Sequence, residues 1–361
     1  MDCFSEYIIN KPNLLHNVKY IKNKIGENVK LCAVVKCDAY GLGIENVVPI
    51  IDNEVDFYAV ANCKEGMNLR LFTSKPILIL GQVETSNILL CIKNNLSITV
   101  DSIEVLYKIL CLDIGGTLKV HIKINTGMNR YGINNIEELS RILKVIKSQR
   151  NIILEGIYTH FATSEKNTQF IKKQHNLFEK IIKNVKNKKI LVHCCSSFGT
   201  LKCGNFLHDM VRVGFALYSK TNYDNNLRNV VSIKSQLTHI QKLNKGESVG
   251  YECSFVADKD MKIGVVPYGY GDGFLRALSN LGFVLIKGVK ANVIGKVCMD
   301  AMIVDLTDID DVQLYDRVTI LGCDFGKEID VFTWSNLLDS SPYEMLTNLK
   351  HSRIKTTVVD E

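Results

Sequence analysis

Eight short apolar runs recur along the first two thirds of the chain, at residues 29–35, 55–60, 76–80, 97–100, 118–124, 153–159, 189–193 and 210–214, with helical stretches between them. Runs this short and this continuously apolar suit parallel strands covered on both faces rather than half-exposed ones. Their alternation with helices predicts parallel β/α units, and eight units predict a closed barrel over an open sheet. The helices are legible too. Residues 135–149 place Ile136, Leu139, Ile142, Leu143 and Ile146 on one face, with lysines and arginines opposite. Asn167 or Thr168 is placed to cap the helix after the sixth strand.

Beyond Leu217-Tyr218 the pattern changes. Thr221 to Arg228 is polar and aperiodic, which marks a domain boundary. Alternating segments follow at Val230–Leu243, Lys262–Pro267, Phe283–Lys290, Met302–Leu306 and Val318–Leu321, separated by turn signals such as Lys245-Gly246-Glu247. The expected architecture is α/β: an N-terminal (β/α)8 TIM barrel over residues 1–228, then a C-terminal mainly antiparallel β domain over 229–361, with a short helix within 330–350.

With 361 residues, 46% hydrophobic and 23% charged, the chain has apolar material for both domains. Its net charge of +6 is spread widely. The densest basic patch, Lys180 to Lys189, carries Ile181, Ile182 and Val185 at helical spacing and reads as a solvated helix face, not a nucleic-acid surface. No apolar run approaches the roughly 18 residues of a membrane span, and Met-Asp-Cys-Phe-Ser-Glu does not begin like a secretory leader. Of the twelve cysteines, Cys32, Cys63, Cys91, Cys111, Cys194, Cys195 and Cys298 mostly lie in apolar runs, as buried free thiols of a reducing, cytoplasmic compartment would. The histidines do not fall at zinc-finger spacings, and no metal is expected.

In a barrel, residues at the C-terminal ends of strands carry the chemistry. Lys36 ends the first apolar run, where an amine against apolar walls becomes a candidate nucleophile or base, and Tyr40-Gly41 follows. The fifth strand leads into Lys123-Ile124-Asn125-Thr126-Gly127-Met128-Asn129-Arg130, the sixth into His160 and the seventh into His193-Cys194-Cys195-Ser196-Ser197. The eighth carries Arg212 before Gly214. Gly127, Gly214, Ser196 and Ser197 offer neutral amides and hydroxyls suited to a phosphate. A phosphate, a lysine for covalent attachment and an arginine for a pyridine nitrogen together specify pyridoxal 5′-phosphate (PLP).

Ala33-Val34-Val35-Lys36 with Tyr40, Gly41 and Gly43 resembles the PLP-attachment signature of the alanine racemases. The likeness continues in order along nearly the whole chain. It runs through Asn125-Thr126-Gly127-Met128 with Arg130, Thr159-His160-Phe161-Ala162-Thr163, Met210-Val211-Arg212-Val213-Gly214, Pro267 to Gly273, and Gly295-Lys296-Val297-Cys298-Met299-Asp300. It implies that Lys36 binds the cofactor covalently and is one acid/base. Tyr251, in Val249-Gly250-Tyr251-Glu252, would be the second, reaching in from the other subunit of a homodimer. It further implies phosphate contacts from Tyr40, Ser197 and the amides near Gly214, with His160 beside the cofactor and Arg212 at its pyridine nitrogen. Arg130 would meet the phenolic oxygen and the substrate, and Tyr270 and Met299 would contact substrate from the partner chain. Lys123 matches a position that is often carbamylated, its product orienting Arg130. Two bases on opposite faces are what inversion at Cα requires, and each is typically worth roughly a hundred- to ten-thousand-fold.

The sequence departs from the family pattern at Cys37-Asp38, Leu42, Asn125 and Ser196, around rather than at these roles. The C-terminal stretch from Tyr343 to Ile354 is shortened. Asn348 or His351 there could widen the pocket or make it more polar, so a serine or broad small amino-acid racemase stands beside an alanine racemase. A non-catalytic PLP-carrying barrel is a further alternative, opposed by the second domain and Tyr251. A related decarboxylase is opposed by the missing glycine-rich phosphate loop and Cys-Asp pair.

Overall fold

Strand β1 (Glu6–Asn10) precedes eight strands that close a barrel: β2 (Lys30–Val34), β3 (Phe57–Val60), β4 (Ile77–Ile79), β5 (Leu96–Val100), β6 (Leu118–Lys123), β7 (Ile152–Tyr158), β8 (Leu191–His193) and β9 (Met210–Val213). Neighbours pair in parallel, and β2 closes on β9 with Cys32 opposite Arg212. This computed structural model describes residues 4–163, 167–183, 185, 189–349 and 351–360. The chain divides into two units. One holds Leu15–Ala39 and Ile44–Arg228; the other holds Met1–Leu14, Tyr40–Gly43 and Asn229–Glu361.

Each expected apolar run forms one barrel strand, because residues such as Leu31, Ala33, Leu78, Ile98, Val120 and Val211 are buried from both sides. The surrounding helices start where side chains can accept their first free amides. Asn135 Oδ1 accepts from Glu138 N at 2.8 Å ahead of the helix Ile136–Ser148, whose Leu139, Ile142 and Ile146 are buried. Ile136 belongs to the first turn and is 39% exposed, so the apolar face is one residue narrower than its spacing suggests. Asn167, not Thr168, caps the helix Thr168–Ile182, accepting from Phe170 N at 3.0 Å. Part of the basic patch expected after Ile182, namely Asn184, Lys186, Asn187 and Lys188, lies outside the described residues, as does the Met-Asp-Cys start.

The other unit is built on a seven-stranded sheet. Its path runs Val289–Asn292, Phe283–Ile286, Arg317–Asp324, Val231–Gln236, β1 and Lys355–Val359, with Lys327–Ile329 added on Arg317–Asp324. A three-stranded antiparallel sheet joins His239–Leu243, Met261–Val266 and Met302–Asp305. All pairs are antiparallel except β1 with Lys355–Val359. The expected helix within 330–350 is two, Val331–Leu337 and Pro342–Thr347. β1 was invisible among the barrel signals because a lone five-residue strand followed at once by the helix Lys11–Ile25 mimics the opening of a β/α unit.

No described helix is long and apolar enough to cross a membrane. The described cysteines are free thiols, though Cys111 is exposed and Cys298 only partly covered.

Candidate active site

Side chains of β6, β7, β8 and β9 meet inside the barrel, and one of these contacts, between His193 of β8 and His121 of β6, spans strands that are not neighbours. Arg212 Nη1 lies 2.8 Å from His193 Nδ1, His193 Nε2 lies 2.9 Å from His121 Nδ1, and His121 Nε2 lies 3.1 Å from Glu155 Oε2. Ser97 Oγ donates to the same carboxylate. A guanidinium cannot accept, so the direction of the whole chain is fixed: Arg212 donates to His193, His193 to His121, and His121 to Glu155. Both imidazoles are therefore neutral. Burial pushes their pKa values down, that of His193 well below the usual range, and the Arg212 charge adds to this. Burial works to raise the Glu155 carboxyl, yet the hydrogen bond from His121, with Ser97 and Lys119, holds it below the ordinary value.

A break in strand register makes this possible. β6 and β7 shift between Val120 and His121, pairing Val120 with Leu154 but His121 with Gly156, which leaves Glu155 as the extra residue of a bulge. Gly156 is required for space: a Cβ there would stand 2.3 Å from His121 Nδ1. Only Arg212 and the rim histidines were singled out from sequence; His121, Glu155 and Tyr158 were not. The available signal was the Glu155-Gly156 pair inside an apolar strand.

Arg212, 3% exposed, also donates from Nη2 to Thr159 O at 2.8 Å and approaches His160 Nδ1 at 3.3 Å. Its guanidinium carbon sits 5.0 Å over the Tyr158 ring, which stacks on His193 at 4.9 Å. Above it the rim is crowded with cations. Burial first, then the charges of Arg212, Arg130, Lys123 and Lys36, push His160 down to about 3. Burial, then Arg130 and Arg212, push the Lys123 amine down to about 8, with Asp101 acting against them. Lys123 Nζ lies 5.3 Å from the Tyr131 ring centroid and 5.7 Å from that of Tyr158. Asp101 accepts from Gln82 Nε2 at 2.9 Å, and its Oδ1 has no hydrogen-bond partner among the described residues. Ser197 Oγ accepts from Ala216 N at 3.3 Å, so Ser197 and the segment after Gly214 are adjacent.

Lys36 is half-buried at the end of the strand and opens a left-handed turn: Cys37, Asp38, Ala39 and Tyr40 have φ of 52°, 55°, 52° and 58°. Left-handed helix costs roughly 1–2 kcal/mol per non-glycine residue, so the turn needs clamps. Glu65 supplies one by accepting from Cys37 N at 3.0 Å and Ala61 N at 2.7 Å, and Asp38 Oδ1 another by accepting from Ile44 N at 2.9 Å.

The barrel unit thus gathers Lys36, Lys123, Arg130, His160 and Arg212, with Ser197 beside the backbone after Gly214. Tyr40, Tyr251, Tyr270 and Met299 belong to the other unit. There Tyr40 and Tyr343 place their rings 6.4 Å apart. Tyr270 N donates to Cys298 O at 3.0 Å and Gly271 N to Met299 O at 2.7 Å, zipping two loops together. A Cβ on Gly269 would strike Cys298 O at 2.4 Å. Asp272 steadies the zip, accepting from Gly269 N at 2.9 Å and pairing with Arg353 at 3.0 Å. Tyr251, Tyr270 and Met299 are 64%, 40% and 55% exposed. The Asn348 side-chain amide donates to Glu344 O at 3.0 Å within its own helix, while the His351 side chain lies outside the described residues.

A closed (β/α)8 barrel with a cationic rim and a mainly-β second unit defines the class of two-domain barrel proteins. Residues 9–222 match the alanine racemase N-terminal domain and residues 230–358 the alanine racemase C-terminal domain. An alanine racemase of Listeria monocytogenes serotype 4b is 34% identical over 358 residues, covering 96% of this chain and 95% of that one. The chain also resembles the solved alanine racemase of Clostridium difficile 630, with 32% identity, a TM-score of 0.91 and coverage of 100% and 97%. That of Bacillus anthracis, with bound L-Ala-P, shares 29% identity and a TM-score of 0.92 over 99% and 96%. The chain belongs to the alanine racemase family.

Proposed function

We propose that the protein interconverts L- and D-alanine with PLP held covalently at Lys36, as a homodimer in which each site borrows Tyr251 from the second copy. The observation that carries this reading is the composition of the barrel rim. Lys36, Lys123, Arg130 and Arg212 all act on a His160 that is kept neutral, and Asp101 opposes the other three cations at Lys123. Such an excess of positive charge suits a ligand bearing a phosphate and a carboxylate. PLP fits this donor set: Tyr40, Ser197 and the amides near Gly214 for its phosphate, Arg212 for its ring nitrogen, His160 beside the ring, and Arg130 for its phenolic oxygen and the substrate. When bound, the cofactor supplies an electron sink for the pair left on the substrate Cα.

The residues of the chain then divide the proton work. Lys36 Nζ takes or returns the Cα proton on one face and Tyr251 Oη on the other, and Tyr270 and Met299 bound the substrate. Arg212 can donate but never accept, so it leaves the ring nitrogen it faces unprotonated. His160 packs as a neutral ring and adds no charge. A Lys123 amine at about 8 is partly unprotonated at neutral pH and able to take up carbon dioxide. Its carbamate would turn one of the crowded cations into an anion facing Arg130. We place the domain boundary at 228/229. The exposure of Tyr251, Tyr270 and Met299 supports their use by a second copy.

Chiral analysis of L-alanine and L-serine incubated with the purified protein tests the reading. D-Alanine should form fastest, and Tyr251→Phe should lower its rate by roughly a hundred- to ten-thousand-fold. Absence of any D-product from the wild type overturns racemisation, and faster D-serine formation moves the specificity to the broader class. Growth in ¹³C-bicarbonate should add a carbamate resonance that Lys123→Ala removes.

A further inference from the structure

Outside the barrel wall lies a second group of histidines that the racemase reaction does not use. His193 and Cys194 are consecutive at the end of β8, and side chains alternate across a strand. His193 points into the barrel, where it meets Arg212 and His121, so Cys194 faces the helix layer. Across from it the helix Thr168–Ile182 presents His175 and Glu179, four residues apart and hence on one face. The segment leading into β9 adds His208. The Nε2 atoms of His175 and His208 are 3.3 Å apart, and these two rings and Cys194 Sγ offer ligand atoms that all lie within 4.8 Å of one another. Glu179 Oε1 lies 3.2 Å from His208 Nε2 and 3.9 Å from His175 Nε2.

We propose that His175, Cys194 and His208, completed by Glu179, bind a structural Zn²⁺ ion. Ligand nitrogens about 2.0–2.1 Å from a tetrahedral Zn²⁺ stand roughly 3.4 Å apart, the separation these two imidazoles have. Two imidazoles and a sulfur select a borderline-soft ion over Mg²⁺ or Ca²⁺, and one thiolate with one carboxylate neutralises its charge. The site is sheltered and its members are fixed from behind. Cys194 is 0% and His175 9% exposed, and the His208 side chain 13%. The His175 ring stacks on Phe206 at 3.8 Å and Phe178 meets the His208 ring edge-on at 5.9 Å, while the Cys194 thiol, until it gives up its proton, donates to the Phe206 carbonyl at 3.0 Å. Asp209 anchors the loop by accepting from Val192 N at 2.8 Å. Binding releases the Cys194 thiol proton to solvent and ties the helix, β8 and the approach to β9 together at one point. Cys194 O lies 3.4 Å from Arg212 Nη2, so the ion would brace the backbone behind that arginine.

The test uses the full-length, PLP-loaded protein, stripped with a chelator and titrated with Co²⁺ in place of Zn²⁺. About one Co²⁺ per chain should bind with a sulfur-to-metal charge-transfer band and the intense visible bands of tetrahedral coordination, and Zn²⁺ should displace it. Cys194→Ala should lose the charge-transfer band and at least about tenfold in affinity, whereas Cys323→Ala, at an exposed cysteine elsewhere, should change neither. His175→Ala should lose the visible bands. No binding by the wild type, or a band that survives Cys194→Ala, overturns the proposal. ¹¹³Cd bound to the wild-type protein gives a variant-free reading: a resonance of mixed sulfur and nitrogen coordination supports the site, and an all-oxygen resonance refutes it.

Discussion

The barrel carries two histidine pairs, and they are wired in opposite ways. Inside, His121 and His193 sit between an arginine that only donates and a carboxylate that only accepts, so every ring nitrogen has a protein partner and each tautomer is dictated. Outside, His175 and His208 turn toward each other, a thiol and a glutamate. The inner pair has a buried cation within 2.8 Å, which excludes a metal ion; the outer pair has the soft and anionic donors that invite one. One strand end feeds both, through His193 and Cys194. Histidines on the inner and outer sides of one strand end thus take different chemistry from the groups around them, a contrast that substitution can break.

The largest effect is expected at Arg212. Arg212→Leu strands His193 Nδ1 and Thr159 O in the interior, each worth about 1–3 kcal/mol, and so should lower unfolding free energy in urea by several kcal/mol while it abolishes most racemisation. A loss as small as that of Cys194→Ala in metal-free protein would mean the inner row is not continuous. Next comes pH. His121, His160 and His193 are held neutral in the fold but take up a proton near pH 6.5 when unfolded. The unfolded state therefore binds more protons below pH 6.5, and stability should fall as pH drops through that value toward about 3, where His160 itself titrates in the fold. The slope is about 1.4 kcal/mol per pH unit for each histidine. Glu155, lowered in the fold, adds to the loss at the acid end. Urea midpoints between pH 7 and pH 5 measure this, and His121→Leu should flatten the curve by one histidine's share.

The sequence alone located all eight barrel strands, because a strand buried on both faces shows its apolar run without help from its neighbours. Lys36, Lys123 and His160 were legible for a related reason, since a charged or titratable residue at the end of such a run stands out, whereas Arg130, in a loop, and Arg212, inside a run, took their roles from the family resemblance. The inner row was not, since Glu155 enters the barrel only through a bulge, and a bulge is a property of two strands' register. The outer cluster was hidden more completely. His175 and His208 lie 33 residues apart with Cys194 between, and no short spacing links them. β1 was missed because its partners, Val231–Gln236 and Lys355–Val359, lie more than two hundred residues downstream.

The smallest effect, and the finest test of the contrast, is at Glu179. Its side chain is 35% exposed, so its attraction to His208 is screened by water and Glu179→Gln should change metal-free stability by no more than about 1 kcal/mol. Glu155, 17% exposed and holding the end of the inner row, should cost more when changed to Gln, because His121 then loses its carboxylate acceptor. With Zn²⁺ present the order of interest changes. Glu179→Gln removes the anion that completes the outer site and should weaken Zn²⁺ retention by roughly ten- to a hundredfold in chelator competition, whereas Glu155→Gln should leave it alone. Equal metal affinity in both variants would show that Glu179 is no ligand of the outer site, and the two carboxylates would then differ in position only.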